Sequence, residues 1–309
     1  MQRRHLLRLA AAGVACTPFL SLAPLASLAH AAAPSASVVP RRIVVMDFGL
    51  TEVLLTLGVT PLATSVPDWY RRTNVAPPLP EGVIDIGLLY QPNFELLEQL
   101  RPDLLALTPA HAPMRAQLER IAPTITLALS APGVEPWQQI AQETRRLARV
   151  LDRAPQAEAA IADADAKLAA ARARLAGANA GPLFVVEFVD DRHLLAYGAG
   201  SLFGDVMMRL GLRNAWSGAS NARGYAVTDF TRLAEASDAA NACLVYIDPL
   251  PDAARDTFAD GVLWHSLPFV RAGRVASMPK VSQGGALYSG ARFAQQLANV
   301  VLSQEARHA

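Results

Sequence analysis

The sequence predicts an α/β fold of two lobes, each built on a central, mostly parallel sheet, with one long rigid helix joining them. Three observations lead to this prediction. Without its first 31 residues the chain has 278 residues, too many for one ordinary hydrophobic core. Short apolar runs alternate with helical patterns in both halves. An uninterrupted alanine-rich segment separates the two halves.

The first 31 residues have the pattern of a secretory signal peptide. The basic stretch MQRRHLLR precedes an alanine-rich apolar run, and Ala29-His30-Ala31 offers a small-x-small cleavage site. The paired arginines fit a twin-arginine signal as well as an ordinary Sec signal, so both export routes stay open. Cys16 has the poorly suited Gly13 three positions before it, and we expect no lipoprotein anchor there. Beyond this segment no apolar stretch reaches the ~20 residues of a membrane span.

The N-terminal lobe is predicted over residues 40–153 and the C-terminal lobe over residues 181–309. In the first, the short apolar runs that predict strands are RRIVVMD, TPLATSV, VIDIG, DLLALT and TITLAL. Helical patterns such as LTEVLLTLG and FELLEQL lie between them. In the second, strands are predicted at PLFVVEFVD, HLLAYG, ACLVYID and RVASMP, and helices at SLFGDVMMRLG and FAQQLANVVLSQ. This alternation favours parallel sheets covered by helices on both faces.

Residues 154–178, between the lobes, predict one long helix. The stretch AEAAIADADAKLAAARARLAG contains no proline and no internal glycine, and alanine, leucine and charged residues dominate it. Pro155 falls where a first-turn proline is tolerated, and Gly177 can end the helix. At a rise of ~1.5 Å per residue the helix would span about 33 Å. A crossover helix within a single sheet is the alternative, but a rigid connection accounts better for alanines that run so far around it.

Charge and cysteine content restrict the function further. Without the first 31 residues the chain carries 25 basic and 27 acidic residues, a net charge of −2. This balance gives no basic excess, so neither nucleic acid nor an anionic membrane is an expected partner. Cys243 would be the one remaining cysteine, which excludes an internal disulfide. Its apolar context ACLVYID predicts a buried, unreactive thiol.

Two lobes joined by a helix leave a cleft, and ligands of open α/β sheets bind in loops at the carboxyl ends of strands. The stretch IDIGLLYQPNFELL contains such a loop. Gly87 ends a strand, Asn93 can cap the next helix, and residues 88–91 lie between them. We therefore expect this loop to face the cleft.

The sequence predicts no enzyme and no cofactor. It lacks a Gly-x-Ser-x-Gly elbow, a Walker loop and a Cys/His pair at metal-ligand spacing. The stretch GAGSLFG misses the dinucleotide-binding spacing, and a turn with Ser201 capping a helix is the favoured interpretation. The histidines beyond the signal are scattered, so we expect no direct metal site.

Polar and aromatic residues gather in the loops that would face the cleft. Singly, each fits a solvated loop; together they predict an aromatic cleft with several hydrogen-bond donors, suited to a medium-sized polar ligand. The candidates are Trp69, Tyr70, Arg71, Tyr90, His111, Arg192, Arg223, Tyr225, Ser282 and Gln283.

Several segments resemble a known family over about residues 41 to 295. The most specific are PPLPEGVIDIG, SLFGDVMMRLGLRNAW and LPFVRAGRV. The chain resembles the iron(III)–hydroxamate siderophore-binding proteins of the FhuD type, in the helix-linked class III group of periplasmic binding proteins. The resemblance implies a monomer in the periplasm that captures a ferric siderophore and delivers it to an inner-membrane ABC permease with its ATPase. It implies no covalent chemistry and no protein ligand to iron.

The chain departs from the family at the expected binding residues. The family's hydroxamate-contacting arginine falls at Leu89 and its contacting tyrosine at His111. Family tryptophans fall near Thr73, Arg223 and Ser282. Tyr90 is a candidate replacement for the lost donor. Arginines elsewhere favour an anionic ligand, such as a mixed citrate–hydroxamate, so the identity of the ligand stays open.

The family docks to its permease through one acidic residue on each lobe. The aligned positions here are not acidic, and Glu119 and Asp229 nearby are the candidates, with ordinary surface carboxylates as the alternative. Two other functions also stay open. One is the same fold binding haem, cobalamin or a non-hydroxamate siderophore; the other is an exported siderophore-processing enzyme.

Overall fold

The computed structural model of the protein describes residues 39–236 and 239–308, which contain two five-stranded sheets. The expected signal peptide over residues 1–31 and Cys16 lie outside the described residues. In chain order the strands are β1 (Ile43–Val45), β2 (Ala63–Thr64), β3 (Ile84–Asp85), β4 (Gly87–Leu88), β5 (Gln91–Pro92), β6 (Leu104–Leu107), β7 (Thr124–Thr126), β8 (Leu183–Phe188), β9 (His193–Tyr197), β10 (Tyr225–Asp229), β11 (Cys243–Ile247) and β12 (Val275–Met278).

Helices connect most of these strands. In chain order they are α1 (Phe48–Thr56), α2 (Pro67–Thr73), α3 (Phe94–Leu100), α4 (Arg115–Leu118), α5 (Pro136–Val150), α6 (Ala154–Arg174), α7 (Leu202–Arg209), α8 (Phe230–Ala234), α9 (Asp252–Asp260), α10 (Val262–Ser266), α11 (Pro268–Arg271) and α12 (Leu287–His308), with a 3-10 helix at Pro109–Met114. Within the described part of the chain, none of these helices combines the length and apolar character that crossing a bilayer requires.

The N-terminal sheet has the strand order β3-β2-β1-β6-β7, and every neighbouring pair is parallel. The runs predicted as strands in this half all contribute to it. Parallel neighbours need crossover connections, which the intervening helices supply. The carboxyl ends of the strands therefore lie along one edge of the sheet, and the loops that follow them share that edge.

The C-terminal sheet has the order β10-β9-β8-β11-β12. Strands β8, β11 and β12 are parallel, whereas β9 and β10 are antiparallel additions at one side. The predicted strands of this half are present. Strand β10 was not predicted, because its residues are only partly buried and lack a clear apolar alternation.

A long helix, α6, occupies the position predicted between the two sheets. It begins at Ala154 with Pro155 in its first turn and ends at Arg174. Gly177 follows with a φ of 89°, the left-handed conformation that favours glycine after a helix. The predicted limits of the two lobes and of the connecting segment stay predictions.

One hydrophobic core extends from the N-terminal sheet to the C-terminal sheet. Its buried side chains include Ile43 on β1, Leu168 on α6, Val185 on β8 and Leu297 on α12. Residues of both sheets thus lose solvent contact against the same helices. We expect this shared packing to resist a change in the angle between the sheets.

Glu52 on α1 connects the N-terminal sheet region to the start of α12. Its carboxylate is fully buried and accepts hydrogen bonds from the backbone N–H groups of Ala286, at 2.8 Å, and Ser289, at 2.9 Å. The hydroxyl of Ser289 donates to it as well. A Cβ at position 285 would lie 2.5 Å from Glu52 Oε2, so glycine there permits the approach. The carboxylate therefore caps the first turn of α12 from another helix.

Candidate functional site

A cleft of about 590 Å³ lies between the two sheets. Its walls come from residues that follow strands, among them Asp47 after β1, Leu89 after β4, Thr108 after β6 and Lys280 after β12. Small-molecule sites in proteins measure roughly 300–1,000 Å³ and favour the carboxyl ends of strands. Size and position both identify the cleft as the candidate site.

The cleft walls are largely apolar. Trp69 on α2 leaves 53% of its surface exposed, and the guanidinium of Arg72 lies 6.0 Å from its ring centroid. Large exposed indole surface is unusual and available to stack on a ligand. The other apolar side chains at the cleft include Phe48, Leu89, Leu129, Pro132, Ile140, Leu195 and Leu202.

The loop that interrupts IDIGLLYQPNFELL is a small hairpin of β4 and β5. Gly87 has a φ of 90°, and a Cβ there would approach Gln91 O at 3.3 Å, so glycine suits the tight turn into the hairpin. Asn93 caps α3, as predicted, by accepting a hydrogen bond from Leu96 N at 3.0 Å. The hairpin places Leu89 at the cleft and Tyr90 at its rim.

A hydrogen bond crosses the cleft between the two lobes. Arg223, in the loop between α7 and β10, donates through Nη2 to the hydroxyl of Tyr90 at 2.6 Å. Arg223 also lines the cleft. Both side chains are polar donors at the rim, and a ligand entering the cleft would meet them first.

His111 forms a hydrogen bond to the backbone of the hairpin. The backbone N–H of Thr108 donates to His111 Nδ1 at 3.1 Å, so Nδ1 is an acceptor and the ring proton resides on Nε2. Nε2 then donates to the carbonyl of Leu89 at 3.0 Å. The ring is almost fully buried and lies 5.4 Å from the ring of Tyr90. Both ring nitrogens of His111 are thus committed to the protein.

An ion pair lies at another part of the cleft. Lys280 donates to Glu187 Oε1, and Tyr197 donates to Glu187 Oε2 at 3.0 Å. The side chains of Lys280 and Glu187 are only 17% and 25% exposed, which strengthens their mutual attraction. Burial, together with the neighbouring Glu187 carboxylate, raises the pKa of Tyr197 well above its usual range, so its hydroxyl keeps its proton.

Asp47 contributes a second carboxylate to the cleft. It follows β1 and caps α1 by accepting from Leu50 N at 3.0 Å. Burial raises the pKa of Asp47, although the hydrogen bond from Leu50 and the positive charge of Arg223 oppose this rise. The carboxylate therefore lies within electrostatic reach of the Arg223 guanidinium.

The structure places the predicted site residues in three groups. Those that line the cleft are Trp69, Leu89, Arg223, Ser282 and Gln283. Those that contact the cleft-lining residues are Tyr90, His111 and Tyr225, the last through an edge contact with Tyr197. Those outside the cleft lining are Tyr70, Arg71 and Arg192.

Tyr70 and Arg71 belong to α2, where the sequence suggested a loop. Tyr70 is fully buried and donates to Pro77 O at 3.1 Å, so its ring is part of the core. Arg71 pairs with Asp68 at 2.9 Å and donates to Pro80 O. Arg192 is exposed on the turn between β8 and β9.

The two docking candidates differ in their surroundings. Glu119 is exposed and pairs with Arg115 at 2.7 Å, which lowers its pKa. Asp229 is half-buried and caps α8 by accepting from Thr231 N at 2.8 Å. Glu119 is thus the more available of the two carboxylates, and both assignments stay predictions.

Sequence reasoning missed Asp47, Glu187, Tyr197 and Lys280 at the cleft. Asp47 and Lys280 carry the same signal as Tyr90, because Asp47 ends the predicted strand RRIVVMD and Lys280 follows the predicted strand RVASMP. Glu187 interrupts the apolar run PLFVVEFVD, and a charge inside a strand is itself a sign of a special position. Its partner Lys280 is 93 residues away in sequence, and no local pattern connects the two.

Cys243 is buried, as predicted, and burial raises the pKa of its thiol to about 11. Across residues 39–236 and 239–308, no three His, Cys, Asp or Glu side chains come together in a group that could hold a metal ion.

Comparison with known proteins agrees with the geometry. The family described as periplasmic binding protein matches residues 43–281. The iron(3+)-hydroxamate-binding protein FhuD of Escherichia coli is 33% identical over 285 residues, which cover 91% of this chain and 94% of that protein. The crystal structure of Fe3+-Desferal-bound FhuD from Vibrio cholerae superposes with a TM-score of 0.78 at 26% identity, covering 85% of this chain and 98% of that one.

The fold alone does not decide the ligand. The periplasmic catecholate-siderophore binding protein VctP of Vibrio cholerae superposes with a TM-score of 0.62 at 22% identity, over 85% of this chain and 94% of that one. Proteins named for different siderophore classes therefore share this architecture. The two sheets, the long helix between them and the cleft at their strand ends agree with the family match, and the chain belongs to the periplasmic binding protein family.

Proposed function

We propose that this protein captures a ferric siderophore of the hydroxamate type in the cleft and delivers it to an ABC permease and its ATPase in the inner membrane. The observation that carries the proposal is similarity to a hydroxamate-binding relative over nearly the whole chain, 33% identity across 91% of its residues. The apolar cleft of about 590 Å³ with donors at its rim supports it.

The chemistry of a ferric tris-hydroxamate fits such a cleft. Six hydroxamate oxygens complete the octahedral coordination of iron, so the protein needs to supply no ligand to the metal. It needs apolar walls for the organic skeleton and donors for oxygens that carry partial negative charge. Trp69 and Leu89 offer the walls, and Arg223 and Tyr90 offer the donors. Serine and glutamine side chains at positions 282 and 283 add hydrogen-bonding groups.

The donor arrangement replaces the one that the family uses. The side chain of Leu89 has no hydrogen-bond donor, and the two ring nitrogens of His111 are occupied by Thr108 and by the Leu89 carbonyl. Arg223 reaches the same rim from the C-terminal lobe. We infer that the arginine contact to hydroxamate oxygens has moved from one lobe to the other in this chain.

Transport rather than catalysis is the proposed role. Export to the periplasm by a Sec or twin-arginine signal belongs to this proposal, as does docking through Glu119 and Asp229. A protein that hydrolysed or reduced its ligand would release free iron or altered siderophore. Incubation with ferric siderophore, followed by chromatography of the ligand, should return it unchanged.

Titration of tryptophan fluorescence tests the proposed ligand. Ferrichrome and ferrioxamine B should quench the emission in a saturable way, because Trp69 lies at the cleft. A tris-catecholate complex, haem and cobalamin are the comparison ligands. Trp69→Phe should reduce the amplitude of quenching while the remaining tryptophans keep the signal measurable. Tight binding of a comparison ligand with no response to either hydroxamate would refute the hydroxamate assignment.

Ligand binding should change the relative position of the lobes very little. The two sheets share one hydrophobic core, and Glu52 ties α1 to α12. We expect small-angle X-ray scattering to give nearly the same radius of gyration with and without ferrichrome. A decrease of several ångströms on binding would mean that the lobes close on the ligand and that the shared core does not restrain them.

A further inference from the structure

The charges at the cleft balance one another. Among the described residues that line it, the charged ones are Asp47, Glu187, Arg223 and Lys280, two of each sign. Relatives in this family are named for chemically different siderophores. The charge at the cleft is therefore a property through which this chain can discriminate among them.

The positive charge of Lys280 is already paired with a protein carboxylate. It is engaged with Glu187, and that carboxylate also accepts from Tyr197 at 3.0 Å. With Lys280 17% exposed and Glu187 25% exposed, breaking the pair would leave a poorly hydrated carboxylate without its partner. A ligand carboxylate would therefore compete with a well-placed protein carboxylate for this lysine.

The positive charge of Arg223 also lies near a protein carboxylate. Its guanidinium donates to Tyr90 and lies within electrostatic reach of the half-buried carboxylate of Asp47. Asp47 cannot turn away easily, because it caps α1 through Leu50 N at 3.0 Å. Arg223 can still donate to neutral or weakly negative oxygens, whereas a full negative charge would meet the opposing field of Asp47.

The other arginines suggested by the sequence do not change this balance. Arg71 pairs with Asp68 and donates to Pro80 O, outside the cleft lining. Arg192 is exposed on the turn between β8 and β9. His111 presents a ring that the protein already uses on both nitrogens. The guanidinium of Arg72 lies 6.0 Å from the ring centroid of Trp69, and Arg72 is not among the residues that line the cleft. The expectation of an anionic ligand, which rested on Arg223 with Arg71 or Arg72, thus loses its support.

We propose that the cleft selects its ferric chelate by charge, taking an uncharged or singly positive tris-hydroxamate and disfavouring chelates that carry free carboxylates. This inference rests on the proposed function and names the substrate class of the same site. A carboxylate brought into the cleft would lose hydration without gaining an unpaired cation. An uncharged chelate pays no such cost and keeps the Arg223 contact.

A comparison of two ligands that share one skeleton and differ mainly in charge tests the inference. Ferrichrome A carries carboxylates on its acyl arms, and its methyl ester keeps the arms and removes the charges. Isothermal titration calorimetry should give a dissociation constant for the acid about tenfold or more above that of the ester. Equal or tighter binding of the acid would overturn charge selection and leave the proposed function standing. Failure of ferrichrome itself and of both ferrioxamine forms named below would overturn the proposed function instead.

If the ester is too large for the cleft, ferrioxamine B offers the same comparison on a slimmer chelate. Its N-acetyl derivative is uncharged, and its N-succinyl derivative carries one carboxylate. The N-acetyl form should bind more tightly than the N-succinyl form. Equal affinity would count against charge selection.

Substitutions at the cleft test whether discrimination between charged and uncharged chelates arises from its charged residues. Glu187→Gln keeps an acceptor for Tyr197 and releases Lys280, so the ratio of the acid and ester dissociation constants should fall by several-fold. Asp47→Asn keeps the helix cap and should act in the same direction, which covers the case in which the first variant does not fold. Glu158→Gln, which removes an exposed carboxylate paired with Arg145 on the surface, is the matched control and should leave the ratio unchanged. An unchanged ratio in both cleft variants would overturn the assignment to these residues.

Discussion

Glu52→Ala is expected to lower the free energy of unfolding by about 3–5 kcal/mol, because it removes a buried charged acceptor and leaves its donors without partners. The carboxylate accepts from Ala286 N, Ser289 N and the Ser289 hydroxyl at the start of α12. It is fully buried, so water cannot replace it in the folded chain. The loop that precedes α12 also lines the cleft at Ser282 and Gln283, and we expect ligand affinity to fall along with stability.

Urea unfolding followed by circular dichroism measures this effect. Glu98→Ala removes an exposed glutamate of α3 and should change the free energy of unfolding by no more than about 0.5 kcal/mol. Glu52→Gln keeps the size of the side chain and should fall between the wild type and the alanine variant. A loss of stability in Glu52→Ala no larger than that of Glu98→Ala would mean that α12 is not held by this carboxylate.

The same carboxyl should leave a signature in the pH dependence of stability. Burial raises the pKa of Glu52 above its ordinary 4.5, against the opposing effect of its hydrogen bonds to Ser289 and Ala286. Within the window between the ordinary and the raised pKa, the folded state therefore binds more protons than the unfolded chain. The stability contributed by Glu52 falls as pH rises through that window. Glu52→Gln cannot titrate, so the stability of the wild type relative to this variant should decline from pH 4.5 upward; a rising difference would contradict the shift.

Local sequence patterns were sufficient for most of the fold. Apolar runs bounded by turn residues identify the strands of the parallel sheets because those strands are buried on both faces. Composition predicts helix α6, and capping preference predicts that Asn93 caps a helix. Both predictions depend only on neighbours within a few residues. Strand β10 was not predicted, because it is an outer strand whose residues are only partly buried and its apolar periodicity is weak.

The cleft was harder to predict, since its composition depends on contacts between distant residues. The stretch that holds Trp69 and Tyr70 suggested a loop of aromatic ligand contacts. The structure forms helix α2 there, which exposes the indole and buries the phenol against Leu79 and Val83. No periodicity distinguishes the two rings in so short a segment. The bond from Arg223 to Tyr90 spans 133 residues and follows only from the way the lobes face each other.

Arg223→Ala should weaken the binding of ferrichrome by about ten- to a hundredfold, the largest effect that we expect from a single cleft substitution. Arg223 is the one arginine among the described residues that line the cleft. It donates to Tyr90, which is adjacent to Leu89, the position where the resemblance leads us to expect the family's hydroxamate donor. Arg223→Lys keeps the charge but loses the planar fork of donors, so it should restore only part of the affinity.

Tyr90 should contribute through the same contact. Tyr90→Phe removes the acceptor that holds Arg223 at 2.6 Å and should weaken binding by a smaller factor than Arg223→Ala. The loss of binding free energy in the double variant should be smaller than the sum of the losses in the two single variants, because removing either partner already disrupts the pair. Calorimetric titration of the four proteins with ferrichrome provides this cycle.

An exposed arginine of the same lobe provides the matched control. Arg271→Ala, on α11, should leave the dissociation constant for ferrichrome unchanged. Suppose that Arg223→Ala also bound ferrichrome as tightly as the wild type. The hydroxamate oxygens would then depend on other donors at the cleft, such as Thr108 and Ser282, and the transfer of the arginine contact between the lobes would be refuted. A loss confined to Arg223 and Tyr90 would instead mean that Arg223 of the C-terminal lobe, held by Tyr90 of the N-terminal lobe, performs in this chain the recognition that the side chains of Leu89 and His111 cannot.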